Sequence, residues 1–383
     1  MEILVIGNGF DLAHNLPTKY SDFIEFIRVI REVIDKGIDK VNWGKLNPHI
    51  QVRIQTSRLL EILNNKQYWL DWVGNNIWVE YFNKNQVFVK EGWIDFESEI
   101  ASVIKSLDAD MTEADGKRLP LHSYINQLSN PFLAEYYSEY SFVSQYEGSI
   151  DKNISFKEIR DRLFSDLNKL IRTLEFYLIE YVGNIEINVV SPDIMGISPD
   201  KLLSFNYTDT YSKLYGKGKQ IEYDYIHGKA DQNHSVVDNR LVLGIDEYLP
   251  EERRNTDIDF IVFKKFYQRI HKETGCLYKD WVEAMQSYVL SVAPDFETDD
   301  TYTSHKLYIF GHSLDITDKD IIKELILNDK VDTTIFYYNR EIYGQQIANL
   351  VKVIGQDELI RRTGGPSKTI TFKQQSAFTE NRK

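Results

Sequence analysis

The chain has 383 residues, 42% of them hydrophobic and 27% charged, a composition typical of a globular protein with one large domain or two smaller ones. Its net charge of −13 argues against non-specific binding to nucleic acids or anionic membranes. The single cysteine, Cys276, excludes an intrachain disulfide and a cysteine-cluster zinc site. No apolar run approaches the roughly 20 residues of a membrane span and no signal-peptide pattern is seen, so we expect a cytoplasmic protein.

The first predicted element is a short strand that ends in a glycine turn. Residues 2–6 are continuously apolar, which predicts a strand buried on both faces. Gly7, Asn8 and Gly9 follow directly, and a glycine turn in this place can present backbone N–H groups to an anionic ligand. The third glycine of the dinucleotide-binding fingerprint is missing. Asp11 is expected either to bind a ribose hydroxyl or to order the loop.

Residues from about 21 to 194 show almost only the periodicity of amphipathic helices. Residues 93–97 are predicted to begin one of these helices. Asp95 and Glu97 cannot face the same direction on a helix, so they do not indicate a carboxylate pair. We therefore predict a helical insertion over residues 21–194.

Strand and helix patterns alternate again from about residue 200. Further strands are predicted at residues 201–205, 221–226, 240–243, 306–310 and 334–338. The residues that directly follow the first four of these strands are Asn206, His227, Gly244 and Gly311. Because the carboxyl ends of parallel strands share one edge of a sheet, where α/β folds bind their ligands, we expect these residues to line one cleft.

These patterns predict an α/β, Rossmann-like fold with a mostly parallel sheet. Its nucleotide-binding domain is predicted to comprise residues 1–20 and 195–365, interrupted by the helical insertion at 21–194. Residues 366–383 are predicted to form a polar C-terminal tail, with a short edge strand near 368–372 and frayed residues after it.

Two side chains at the predicted edge suit hydrolytic chemistry. The amide of Asn206 can bind a ribose hydroxyl and a water together, since it has both donors and an acceptor. His227 can act as a general base, since imidazole titrates near neutral pH. Asp315 and Asp318 are predicted to cap the helix that follows the strand at 306–310. The eight histidines show no metal-ligand spacing, so no metal site is predicted.

Several segments together resemble one protein family. The sequences ILVIGNGFDLAH, at residues 3–14, and LPTKY, at 16–20, closely resemble the start of the AbiH family of bacterial phage-abortive-infection proteins. The segments WIDFE, FNYT, IHG and GHSLD, at residues 93–97, 205–208, 226–228 and 311–315, fit the same family. The resemblance runs nearly the full length of the chain and implies an anti-phage role.

More remotely, the same segments in the same order resemble the sirtuin-like NAD-binding domain of several bacterial defence effectors. This resemblance implies that Asn206 and His227 are the catalytic pair. It also implies NAD contacts from Gly7, Asn8, Gly9, Phe10, Asp11, Gly228, Gly311, His312 and Ser313. A chain with one cysteine cannot build the four-cysteine zinc module of deacylating sirtuins, so NAD hydrolysis is expected and deacylation is not.

The leading hypothesis from the sequence is an abortive-infection effector that binds NAD and hydrolyses its nicotinamide–ribose bond. An alternative is a non-catalytic nucleotide-binding sensor that signals to a partner protein. A nuclease is a third and weaker alternative, because the sequence shows no carboxylate cluster for metal ions and its net charge is negative. Under the leading hypothesis the helical insertion covers the cleft and senses a phage-derived trigger or holds a partner protein. A homo-oligomer is one option for its assembly, and the sequence leaves the oligomeric state open.

Overall fold

The computed structural model describes residues 1–42, 61, 63, 69–84, 96–114, 117–120, 128–138, 141–142, 153–154, 156–292, 305–328 and 330–381. Judged by the proximity of their Cα atoms, the chain divides into two compact units. The α/β unit comprises Met1–Thr18, Tyr181–Gln232 and Glu273–Lys383, and the helical unit comprises Lys19–Glu180 and Asn233–Lys272. The predicted domain boundaries stay a prediction, although both divisions make the α/β part discontinuous in sequence.

The α/β unit is built on one parallel sheet of six strands. In chain order the strands are β1 (Glu2–Ile6), β2 (Lys201–Ser204), β3 (Glu222–Tyr225), β4 (His305–Phe310), β5 (Val331–Tyr337) and β6 (Ile370–Gln374). Their order across the sheet is β6-β5-β4-β1-β2-β3, and every neighbouring pair is parallel. This is the 3-2-1-4-5-6 order of doubly wound dinucleotide-binding sheets. The predicted α/β fold with a mostly parallel sheet is confirmed, and its likeness to sirtuins stays a prediction.

The continuous apolar run of β1 is explained by helices on both faces of the sheet. Ile3 and Val5 point into one core cluster, which includes residues of the helices Tyr278–Val292, Lys319–Ile326, Arg340–Ile354 and Gln356–Thr363. Leu4 and Ile6 point into the other, which includes residues of the helices Asn8–Ala13, Pro192–Met195 and Thr210–Leu214. Each of these four side chains is at most 2% exposed, so each contributes about 1.5–3 kcal/mol of burial free energy.

The C-terminal residues that were predicted to be frayed are anchored to the α/β unit. The edge strand is present as β6, two residues further along the chain than predicted. Beyond it, the backbone N–H of Ser376 donates to Asp193 Oδ2 at 2.7 Å, and the ring of Phe378 lies 5.1 Å from that of His14. Thr379–Glu380 then pairs antiparallel with Val189–Val190. The prediction of a frayed tail is therefore wrong for residues 375–381.

Most described elements of the helical unit are helices, while the insertion over residues 21–194 stays a prediction. Its described helices are Tyr20–Lys36, Ile38–Lys40, Leu70–Gly74, Ile77–Lys84, Phe96–Ala109, Pro131–Tyr136, Phe156–Phe176, Glu251–Arg254, Ile261–Phe263 and Lys265–His271, and Tyr177–Tyr181 leads out of it. Two short strand pairs, Met111–Ala114 with Lys117–Pro120 and Ser141–Phe142 with Asn153–Ile154, accompany them. The predicted helix start at residues 93–95 lies outside the described residues. None of the described helices is both long and apolar enough to cross a membrane.

One predicted strand of the sheet is wrong. Residues 240–243 form no strand and belong to the helical unit. Their apolar side chains are buried, as those of a strand would be. The side-chain amide of Gln268 takes the place of a neighbouring strand, because it accepts from the N–H of Leu243 at 3.0 Å and donates to the carbonyl of Leu243 at 3.2 Å. Gly244 therefore does not follow a strand of the sheet.

Candidate functional site

The strand register brings most of the predicted site residues to one edge of the sheet. Ile6 lies beside both Ser204 and Phe310, and Ser204 lies beside Tyr225. The residues two positions further along each strand are Asn8, Asn206, His227 and His312. These four residues therefore leave the sheet at the same carboxyl edge. The strand order reverses between β1 and β4, which is where doubly wound sheets bind their ligands.

The glycine turn after β1 packs directly against the loop after β4. The N–H of Gly7 donates to the carbonyl of Phe310 at 3.2 Å, and the N–H of Gly9 donates to the carbonyl of Gly311 at 2.8 Å. A Cβ atom on Gly9 would lie 2.9 Å from the Cα of Gly311, and one on Gly7 would lie 2.8 Å from the Cα of His312. Two backbones thus touch where no side chain fits. This requirement for glycine comes from the loop after β4, so the sequence around residues 7–9 does not reveal it.

Two histidines share one carboxylate at this edge. Asp318 Oδ1 lies 3.7 Å from Nε2 of His227, and Asp318 Oδ2 lies 3.4 Å from Nε2 of His312. All three side chains are buried. The ring of Phe205 fills the space beside both imidazoles, with centroid distances of 4.2 Å to His312 and 5.7 Å to His227. An anion in this position stabilises a positive charge that develops on the ring of His227.

Asp315 and Asp318 were both predicted to cap the helix that follows β4, and each lies at an N-cap position. Asp315 caps the short 3₁₀ helix Ile316–Asp318, since its Oδ1 accepts from the N–H of Thr317 at 3.1 Å. Asp318 precedes the helix Lys319–Ile326 but makes no side-chain capping bond. The sequence around Asp318 does not show that its carboxylate faces two histidines, because one of them, His227, follows a different strand.

The orientation of His312 is fixed by its own loop. The N–H of Leu314 donates to Nδ1 of His312 at 2.9 Å, so the neutral ring carries its proton on Nε2, facing Asp318. A ring in this state has no lone pair for a metal ion. Among the described residues, no group of three or more His, Cys, Asp or Glu is arranged to hold one. The helix Arg340–Ile354 supports the same loop, since Gln346 Nε2 donates to the carbonyl of His312 at 3.1 Å.

Asn206 has a buried side chain with unused hydrogen-bonding capacity. Its backbone N–H donates to Oγ of Ser204 at 3.1 Å, and that hydroxyl donates to the carbonyl of Asn206 at 3.1 Å. In contrast to the backbone, the side-chain atoms Oδ1 and Nδ2 have no hydrogen-bond partner among the described residues, although Asn206 is only 5% exposed. Buried amides in folded proteins are nearly always satisfied. Asn206 is thus the part of this edge best prepared to bind a polar ligand.

Asp11 is a second buried polar group at this edge. Its Oδ2 accepts from the hydroxyl of Thr208 at 2.6 Å, and Thr208 Oγ1 in turn accepts from Thr210 at 3.1 Å. Burial raises the pKa of Asp11 to about 6. Perturbed acids in a cleft are more common at functional sites than elsewhere.

The family of the chain follows from its sequence as a whole. A family model described as "Bacteriophage abortive infection AbiH" matches residues 3–338. The chain belongs to this family. Its AbiH membership confirms the resemblance that the sequence indicated and implies a role in the abortive infection of phages. A search of curated proteins found no match to this AbiH chain.

The remaining residues that were predicted to contact NAD differ in their exposure and in their hydrogen bonds in this AbiH protein. Phe10 is fully buried and packs against other rings, so its side chain supports the turn from the core. Gly228, with φ at +78°, forms a tight turn in which its N–H donates to the carbonyl of Tyr225 at 2.9 Å. Asn8 and Ser313 are exposed at the edge, and Oδ1 of Asn8 accepts from Thr18 at 2.7 Å.

Proposed function

We propose that this AbiH protein binds NAD at the carboxyl edge of its sheet and hydrolyses the nicotinamide–ribose bond during abortive infection. The observation that carries the proposal is the buried, unsatisfied amide of Asn206 at the strand end next to that of His227. The 3-2-1-4-5-6 strand order supports a dinucleotide as the ligand.

The chemistry asks little of the protein beyond positioning. As the bond between ribose C1′ and the nicotinamide nitrogen breaks, its electron pair goes to the nicotinamide, which leaves as a neutral molecule and needs no proton. Positive charge develops on the ribose, as in other glycoside hydrolyses. Asn206 holds a ribose hydroxyl and the attacking water, and the water oxygen bonds to C1′. His227 takes the proton from that water, and Asp318 stabilises the resulting imidazolium.

Purified protein incubated with NAD should release nicotinamide, and His227→Ala and Asn206→Ala should each reduce the rate by about 100-fold or more. Chromatography of the reaction mixture measures the release. His271→Ala, which removes an exposed histidine of the helical unit, is the matched control and should be as active as the wild type. Unchanged activity in both site variants would contradict the catalytic assignment. Stabilisation of the protein by NAD without nicotinamide release would instead support a nucleotide sensor.

A further inference from the structure

Asp11 is a buried carboxylate without a cationic partner. It is 1% exposed, and its Oδ1 has no hydrogen-bond partner among the described residues. Only Oδ2 is engaged, by the hydroxyl of Thr208. Within the described part of the chain, no Lys, Arg or His forms an ion pair with Asp11. A carboxylate in this state is costly for the fold, because it has lost its water and no cation of the described residues lies at ion-pair distance.

The charge of Asp11 is present at neutral pH. Burial raises its pKa to about 6, the hydroxyls of Thr208 and Thr210 lower it, Asp209 raises it and Lys213 lowers it. The pKa remains below 7, so most molecules carry the ionised form there. An asparagine in this position would also accept the hydroxyl of Thr208 without the cost of burying a charge. The negative charge itself is therefore what needs a functional explanation.

The location of Asp11 ties it to the proposed ribose site. Thr208, its hydrogen-bond partner, lies two residues beyond Asn206 on the loop that follows β2. A positively charged group bound beside Asn206 would therefore lie against the loop whose Thr208 holds this carboxylate. The nicotinamide–ribose linkage of NAD supplies such a group, since the pyridinium ring is positive before the bond breaks and the ribose is positive while it breaks.

We propose that the charge of Asp11 stabilises the cationic ribose and restricts the substrate to N-ribosylpyridinium nucleotides. This inference rests on the proposed function and names the substrate class of the same site. Asp11 forms no bond and transfers no proton in this role, because it acts only through its charge. NADH, whose nicotinamide ring is neutral, is therefore a poor ligand.

The test is the preference for NAD over NADH, measured by titration calorimetry at pH 8. The His227→Ala protein is used so that NAD is not consumed. We expect the dissociation constant of NAD to be at least about tenfold lower than that of NADH, because the positive pyridinium ring is attracted to a partly screened negative charge. Adding Asp11→Asn should bring the two affinities to within about twofold of each other, because no charge contact remains.

The control is Asp209→Asn in the same background. It removes the same charge from a partly exposed carboxylate that pairs with Lys213 at 2.9 Å. Because NADH carries one more net negative charge than NAD, this variant reports how much of the preference comes from the acidic protein as a whole. It should keep the preference for NAD.

Equal affinities with Asp11 in place, or a preference that survives Asp11→Asn, would overturn this inference and leave nucleotide binding standing. A preference lost equally in Asp209→Asn would overturn it as well, because any nearby charge would then suffice. If neither nucleotide binds, the proposed function fails and this inference with it.

Discussion

Gly311→Ala will lower the free energy of unfolding by about 4 kcal/mol or more, an exceptional loss for one substitution. Gly311 has φ at +69°, which costs an alanine about 1–2 kcal/mol. Its Cβ would also lie 2.1 Å from the backbone nitrogen of Phe10 and 2.5 Å from the carbonyl carbon of Gly9. These are backbone atoms, which cannot rotate away as a side chain can. Guanidinium unfolding of the purified variant, together with its soluble yield, measures the loss.

Gly365→Ala separates the two causes of that loss. Gly365 has nearly the same backbone conformation, with φ at +70°, but no atom lies within 4 Å of the place a Cβ would occupy. Its alanine variant should lose only about 1–2 kcal/mol. If both variants lose the same amount, the close contact between the two turns does not exist in solution.

Asp11→Asn will stabilise the protein at high pH and have little effect at low pH. Burial raises the pKa of Asp11 from 3.8 to about 6, so the folded chain holds this proton more tightly than the unfolded chain. The free energy of unfolding is therefore highest, as far as Asp11 is concerned, below about pH 4, where Asp11 is protonated in both states. It falls by about 3 kcal/mol as the pH rises through 6 and the buried carboxyl ionises. Unfolding at pH 8 should show a gain of about 2–3 kcal/mol, falling below about 1 kcal/mol at pH 4.5.

A favourable interaction with the short helix does not reverse this sign. Asp11 lies in the first turn of Asn8–Ala13, where a carboxylate gains about 0.3–1 kcal/mol from the helix dipole, which is less than the cost of burial. Asp209→Asn is the control and should lose up to about 1 kcal/mol with its partly exposed ion pair to Lys213. An Asp11→Asn gain of equal size at both pH values would show that buried charge is not its cause.

The sheet and the edge with the candidate site could be predicted because they depend on local patterns. The continuous apolar run of β1 predicts burial on both faces, whatever the rest of the chain does. Asn206 and His227 could be placed at the same edge because each follows a predicted strand, and parallel strands end together. Local strand signals were therefore enough to place both residues at one edge of the sheet.

Local patterns do not reveal contacts with partners that lie elsewhere in the sequence. This applies to Asp318, Gly311 and Leu243. Asp318 has the sequence position of a helix cap, and only the folded chain shows that its carboxylate faces two histidines. Gly311 was expected to contact a ligand. The structure shows instead that the backbone at Gly9 lies so close to it that no side chain fits. Leu243 is buried like a strand residue but is satisfied by the side chain of Gln268, which no pattern in residues 240–243 reveals.

The central place of β1 in the sheet has a consequence for the synthesis of the protein. Its two neighbours, β2 and β4, come about 200 and 300 residues later in the chain. β1 therefore cannot form its strand pairs until both have been synthesised. At about 5–20 residues per second, on the order of 15–60 s pass between the translation of Gly7 and that of Asp318. A nascent chain therefore lacks His312 and Asp318, one side of the candidate site, until most of the protein has been made.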